Sequence, residues 1–303
     1  MSTERLMVQA FAPDEAPARR LAAALQAPLA TVDLHVFPDG EILPRAPVGA
    51  ETTIVYASLD RPNEKLIALL LAADAWRRDA TIHRLILAAP YLAYLRQDQA
   101  FRSGEPVSQA VVCGLLADRF DAIITVDPHL HRVADLNEAY PATNWRVIDG
   151  LGVAAAALAG EEVDARLIVV GPDVESTPLA ARFAARLGRP WFVFSKQRLG
   201  DHRVELTPPA GAVMRGASVL IVDDICSSGG TMTQLAFQLR KMGAASVEAI
   251  VTHALFDHRG AAALKEAGLD RLRSCDSCPH PSNAFALDAA LAGAVREIIA
   301  NAC

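Results

Sequence analysis

Short apolar runs rich in valine and isoleucine punctuate the chain. They are TIVYASL (53–59), RLILAAP (84–90), AIITVDP (122–128), RLIVVGP (166–172), WFVFS (191–195), SVLIVDD (218–224) and VEAIVTHALF (247–256). Most lack apolar–polar alternation, the pattern of strands covered on both faces. Alanine- and leucine-rich stretches such as EKLIALLLAADAWRRD and TPLAARFAARLG lie between them and read as helices. Strand and helix in alternation predict an α/β fold with mostly parallel sheets flanked by helices.

The pattern also hints at duplication. LILAAPYLAYLRQDQAF (85–101) resembles LIVVGPDVESTPLAARF (167–183), and IITVDP (123–128) resembles LIVDD (220–224). With 303 residues, room for two ordinary domains, this predicts two related α/β domains, 1–148 and 149–303. NWRVIDGLGV (144–153) is expected to be the crossover, and the last helix is a candidate to pack back on the first domain.

Composition narrows the class. Hydrophobic residues make up 52% of the chain, enough for sizeable cores. Net charge is 29 − 35 = −6 with no basic block, which argues against a nucleic-acid surface. No stretch approaches the roughly 20 apolar residues of a membrane span. The N-terminus lacks the apolar core of a signal peptide. Five scattered cysteines do not make a disulfide framework and fit a reducing compartment. A cytoplasmic enzyme or binding protein is the expectation.

The chemistry concentrates in VLIVDDICSSGGTMTQLAFQL (219–239). An apolar strand runs into Asp223 and Asp224. Ser227, Ser228, Gly229, Gly230 and Thr231 follow, then a helix. In open α/β sheets ligands bind beyond the carboxyl ends of strands. Glycines let backbone N–H groups converge, and a helix N-terminus adds partial positive charge; together they suit a phosphate. The aspartates can accept hydrogen bonds from sugar hydroxyls or hold a hydrated cation. The plainer reading is a helix N-cap, which leaves two carboxylates at an apolar strand end unexplained.

VLIVDDICSSGGTM resembles the ribose-5-phosphate loop of the type I phosphoribosyltransferase fold. Six further segments, in family order, resemble the ribose-phosphate diphosphokinases. They are HVFPDGEILPR (35–45), PYLAYLRQDQAFRSGEPVS (90–108), TVDPHLHR (125–132), GPDVES (171–176), FSKQRLGDHRVEL (194–206) and CPHPSNAFALDAALAGAV (278–295). The resemblance implies two tandem phosphoribosyltransferase-like domains, the first carrying ATP segments and the second the ribose-5-phosphate loop and a catalytic flap. It implies transfer of the β,γ-diphosphoryl group of ATP to ribose 5-phosphate, with Mg²⁺, in a homo-oligomer, a dimer or hexamer.

On that reading Phe37 stacks on adenine, with Asp39 and Glu41 as acceptors, although Pro-Asp-Gly alone reads as a turn. Arg96 and Gln97 offer forked donors to phosphate or base, with Arg102 secondary. His129, with His131 as the lesser alternative, and Asp173 are assigned to the metal, although Mg²⁺ prefers oxygen to imidazole. Lys196 and Arg198 neutralise the transferring group from a hairpin flap. Two departures from the family pattern stand out: Glu175 and Ser176 where glycines are common, and Ser227 where an aspartate is common. They keep alive a non-catalytic regulatory paralogue as an alternative; a phosphoribosyltransferase acting on a base is the other. Cys275-Asp-Ser-Cys278-Pro-His280 is a thin basis for zinc, because no second cysteine pair accompanies it.

Overall fold

The structure is a computed structural model and describes residues 5–130, 132–133, 135–161, 164–198 and 204–301. It divides into two compact units, 1–148 joined by 287–303, and 149–286.

The first unit begins with β1 (Leu6–Phe11), a 3-10 turn (Ala12–Asp14), α1 (Glu15–Leu25), β2 (Leu29–Val36), β3 (Ile42–Arg45) and β4 (Thr52–Tyr56). It continues through α2 (Pro62–Arg78), β5 (Arg84–Ala88), α3 (Ser108–Ala117), β6 (Ala122–Val126), α4 (Leu136–Ala139) and β7 (Asn144–Ile148). The sheet order is β3-β2-β1-β4-β5-β6-β7, parallel except for the β2–β3 hairpin. Every residue of β4 and β6 is buried, as their unbroken apolar runs require. One face packs Val55, Leu85, Leu87 and Ile123 against Leu69 and Trp76 of α2 and Val112 and Leu116 of α3.

The second unit holds α5 (Gly150–Ala159), β8 (Leu167–Gly171), a 3-10 turn (Val174–Ser176), α6 (Thr177–Leu187), β9 (Trp191–Val193), β10 (Ser195–Arg198) and β11 (Val204–Thr207). Then come β12 (Ser218–Cys226), α7 (Gly230–Lys241), β13 (Ser246–Ala254), α8 (His258–Glu266), β14 (Arg271–Cys275) and β15 (Asn283–Phe285). The sheet order is β15-β14-β13-β12-β8-β9, all parallel; β10 and β11 form a separate antiparallel hairpin. Val219, Ile221, Val247 and Val251 pack on Leu235 and Leu239 of α7 and Leu264 of α8. The chain then returns to the first unit as α9 (Asp288–Ala300), which lies against α1, β6 and β7.

The stretch 144–153 does carry the chain from one unit to the other: 144–148 is the last strand of the first sheet, and Asp149, the first residue of the second unit, caps α5 by accepting from the Gly152 N–H at 2.8 Å. One expectation changes. The duplication is visible in the topology but pairs different strands. Position by position, β2-β1-β4-β5-β6-β7 matches β9-β8-β12-β13-β14-β15, so β8 corresponds to β1, not to β5, and β12 to β4, not to β6. Buried strands of any origin share the same apolar character, which is why the sequence match fell on the wrong pair.

In each sheet the chain reverses its winding direction once, between β1 and β4 and between β8 and β12. Such switch points open a crevice at the carboxyl ends of the strands. In the first unit the crevice is filled from within. Lys65 Nζ donates to the Ser58 carbonyl at 2.9 Å, pairs with Asp60, and lies 3.9 Å from Asp14 Oδ1. Asp14 Oδ2 accepts from the Ser58 N–H at 3.2 Å. Burial pushes the Asp14 carboxyl up to about 6, with Lys65 only partly offsetting it.

Candidate functional site

The crevice of the second unit carries the acidic pair and the small-residue loop. β12 and β8 run in register, Ile221 beside Val170. Their carboxyl ends therefore deliver Asp223 and Asp224 alongside the turn that opens at Asp173. Both members of the acidic pair are half-buried, and Asp223 Oδ1 accepts from the Asp224 N–H at 3.1 Å. Next to them, burial and then the Asp223 charge push the Cys226 thiol up to about 12, which removes it as a nucleophile.

Ser227, Ser228 and Gly230 are exposed and Thr231 is half-buried. Gly229 caps α7 at φ 85°, ψ −6°, a left-handed conformation that glycine adopts without strain. The Ser228 hydroxyl accepts from the Gly230 N–H at 3.4 Å, and the first α7 turn closes with Thr233 N–H to Gly229 O at 2.8 Å. The loop thus presents hydroxyls and a helix N-terminus to solvent, the donor set an anion needs. Gly260 of α8 supports it from behind: a Cβ there would stand 2.8 Å from the Ser228 carbonyl oxygen. Gly260 N–H in turn donates to Asp257, the α8 cap, at 3.0 Å. Gly260 lies about thirty residues beyond the loop in sequence, and the sequence reading did not include it.

Asp173 caps its 3-10 turn. Its Oδ1 accepts from the N–H groups of Glu175 at 3.1 Å and Ser176 at 3.3 Å. Ser176 is buried and reciprocates, its Oγ accepting from the Asp173 N–H at 3.3 Å and donating to the Asp173 carbonyl at 2.6 Å. Ser176 therefore has a structural place in a capping box, while the Glu175 side chain is exposed.

Lys196 and Arg198 lie on β10, opposite Leu206 and Val204 of β11. The expected turn at Gly200 and Asp201 falls outside the described residues, as does His131.

In the first unit, Phe37, Asp39 and Glu41 form the tip of the β2–β3 hairpin and are exposed. Phe37 N–H donates to Glu41 O at 2.8 Å, Gly40 N–H to Phe37 O at 2.9 Å, and Glu41 N–H to Asp39 Oδ1 at 3.1 Å. The turn reading and an exposed aromatic ring hold together. The Phe37 ring sits edge-on to His35 at 4.6 Å. β1 ends beside Val32, so the last four residues of β2 carry this tip roughly 13 Å past the carboxyl end of β1.

Arg96 is exposed and Gln97 half-buried, in the irregular segment between β5 and α3. His129 follows β6 and is half-buried. These two segments leave neighbouring strands, whereas the hairpin tip leaves β2, three strand spacings from β5, or roughly 14 Å at the sheet. One chain therefore brings Arg96 and Gln97 near His129 but sets Phe37 apart from them. Tyr94 and Asp127 hold φ of 65° and 33°, positive values that are uncommon for residues with a side chain and cluster at functional loops. Cys275 and Cys278 are buried, and Cys275 Sγ donates to the Gly150 carbonyl at 3.4 Å. His280 uses both ring nitrogens elsewhere, on Phe256 O at 3.0 Å and Ser282 Oγ at 2.7 Å.

Comparison with known proteins agrees with this division. Residues 7–119 match the family model for the N-terminal domain of ribose phosphate pyrophosphokinase, and 149–290 match the phosphoribosyl transferase domain. A ribose-phosphate pyrophosphokinase of Methanopyrus kandleri is 36% identical over 284 residues, covering 92% of this chain and 95% of the relative. One from Thermococcus kodakarensis is 34% identical, covering 82% and 86%. The crystal structure of phosphoribosylpyrophosphate synthetase from Mycobacterium smegmatis superposes with a TM-score of 0.85, covering 98% of this chain and 100% of that one, at 22% identity. With both domains matched in order and a relative at this identity over nearly its whole length, the chain belongs to the ribose-phosphate pyrophosphokinase family.

Proposed function

We propose that the chain is a ribose-phosphate diphosphokinase acting on ATP and ribose 5-phosphate. The 1-hydroxyl of the sugar attacks the β-phosphorus of ATP. The bond from that phosphorus to the bridging oxygen of the α-phosphate breaks, the hydroxyl proton is lost, and AMP leaves. The product is 5-phosphoribosyl 1-diphosphate. The observation that carries the reading is the serine–glycine–threonine loop, its two serines exposed, at the α7 N-terminus beside Asp223 and Asp224. It occurs in a chain that also holds a complete second sheet.

Ser227, Ser228, Gly229, Gly230 and Thr231 hold the 5-phosphate. Asp223 and Asp224 orient the ribose hydroxyls. Phe37, Asp39 and Glu41 receive adenine, and Arg96 and Gln97 the nucleotide's phosphates or base. Lys196 and Arg198 stabilise the charge on the transferring group. Positioning and electrostatics supply most of the rate gain, since phosphoryl transfer asks little covalent help.

Among the described residues no group of three or more His, Cys, Asp or Glu is placed to hold a metal ion. Mg²⁺ keeps waters and substrate phosphates as ligands and takes one or two carboxylates from protein, and the half-buried Asp173 after β8 is a carboxylate of that kind. His129 and Asp173 are assigned to it, Asp173 as an oxygen donor. When bound, Mg²⁺ neutralises phosphate charge and orients the displacement.

The exposed apolar hairpin, with Leu34, Val36, Phe37 and Leu43 all more than a third exposed, supports a homo-oligomer in which a second copy covers it. Such an arrangement would also return Phe37 to an Arg96 segment, that of the neighbouring chain. Among the described residues no helix is long and apolar enough to cross a membrane.

The test is an assay with ATP, ribose 5-phosphate and Mg²⁺ and no base. AMP and phosphoribosyl diphosphate are expected in equal amounts. No AMP from these substrates, with diphosphate released once phosphoribosyl diphosphate and a nucleobase are supplied in their place, would assign a phosphoribosyltransferase instead.

A further inference from the structure

Asp98 follows Arg96 and Gln97 directly, and its side chain is only 1% exposed. Its Oδ1 accepts from Arg132 Nη1 at 2.7 Å; its Oδ2 has no hydrogen-bond partner among the described residues. Arg132 lies three residues past His129, on the segment that leaves β6. Its guanidinium also stands 5.9 Å from the Phe101 ring centroid, further along the Arg96 segment. A buried carboxylate is stable only with its partner in place, so this ion pair has one preferred geometry.

A second tie joins the same two regions. Tyr140 hydroxyl, just after α4, donates to Gln109 Oε1 at 3.3 Å. Gln109 Nε2 reaches back to Leu95 O at 3.4 Å, and Gln109 N–H to Gln97 O at 3.2 Å. The backbone on both sides of Arg96 is thereby fixed. The two left-handed residues, Tyr94 and Asp127, sit one in each segment. Strained backbone persists where its surroundings over-determine it, and the two ties provide that determination.

We propose that Arg132 and Asp98 are a positioning pair, which sets the nucleotide-binding segment of Arg96 and Gln97 at a fixed distance from the segment bearing His129. Neither residue need touch substrate. The inference rests on the reading of Arg96 and Gln97 as ATP ligands, and it makes the pair specific to one substrate. ATP spans both segments, while ribose 5-phosphate is held by the loop after β12.

The experiment compares steady-state kinetics and thermal unfolding of the full-length wild type, Arg132→Ala, Arg132→Lys, Arg132→Ala with Asp98→Asn, and Arg96→Ala. Arg132→Ala is expected to raise KM for ATP about tenfold while KM for ribose 5-phosphate stays within about twofold, a difference of one decade in affinity. Arg132→Lys regains part of that loss. The double variant removes the stranded carboxylate, so its Tm returns toward wild type, yet KM for ATP stays raised. If the double variant recovers both Tm and KM, or if Arg132→Ala lowers Tm and leaves KM for ATP unchanged, the pair is structural and the proposal is overturned. Equal rises in both KM values overturn it as well. Arg96→Ala separates the two levels of inference. If it too leaves ATP kinetics unchanged, the nucleotide assignment itself is wrong; if it weakens ATP and Arg132→Ala does not, only the positioning role falls.

Discussion

His253 Nδ1 lies 2.8 Å from Ser277 Oγ, and that hydroxyl reaches the Thr252 carbonyl oxygen at 2.9 Å. Both side chains are buried. With its proton given to the carbonyl, Ser277 accepts from the imidazole, which places the proton on Nδ1. His253 stands opposite Ile225 in the β12–β13 register, one residue past Asp224, so this pair stiffens the strand ends that carry the acidic pair. Ser277→Ala leaves a buried imidazole N–H without its acceptor. It should lower the unfolding free energy by about 1–3 kcal/mol in urea titrations. An unaltered midpoint would mean the hydrogen bond is absent.

Gly260→Ala places a methyl group against the Ser228 carbonyl and the Phe256 Cβ, at 2.8 and 2.9 Å before relaxation. The loop after β12 must shift to accept it. Affinity for ribose 5-phosphate should fall about tenfold, roughly 1.4 kcal/mol, with affinity for an ATP analogue unchanged. Titration calorimetry with each ligand separately reads this out.

Phe37→Ala removes the exposed ring at the hairpin tip. A base stacked on an aromatic side chain is worth about 1–3 kcal/mol, so KM for ATP should rise roughly five- to hundred-fold, with ribose 5-phosphate binding untouched. Equal ATP kinetics in wild type and variant would remove Phe37 from the adenine site.

Lys196→Ala should cut turnover by orders of magnitude and leave ribose 5-phosphate affinity nearly intact, because in the proposed mechanism its charge is needed only as the diphosphoryl group transfers. Stopped assays of AMP formation, paired with calorimetry, separate the two effects.

Asp14 carries a pH dependence of stability. Its folded value of about 6 lies above the ordinary 3.8. The native state therefore holds the proton more tightly. The stabilisation is fully present below 3.8 and is lost as pH rises through about 6. A shift of this size corresponds to about 2–3 kcal/mol. In Asp14→Asn this component should vanish, so the difference in unfolding free energy between wild type and variant should change between pH 4 and 7. A constant difference would mean that Asp14 titrates normally.

The sequence made some parts of this fold readable and hid others for physical reasons. β4, β5, β6, β8, β12 and β13 stand out because burial on both faces leaves unbroken apolar runs. β2 and β3 escape notice because most of their residues are exposed, and β7 because only Trp145 is buried there. The loop at 223–231 is legible since its chemistry lies in consecutive residues. Arg132 and Asp98, 34 positions apart, meet only once β5 and β6 are side by side. Gly260 likewise has meaning only after α8 folds behind Ser228.

Lys65 gives the duplicated architecture a lasting asymmetry. A group tethered to its own site competes at an effective concentration on the order of millimolar or higher. Any small cation seeking the carboxylates of Asp14 and Asp60 meets a rival that never diffuses away. The first sheet thus answers its groove with its own side chain, and the proposed binding of a diffusible sugar phosphate falls to the second.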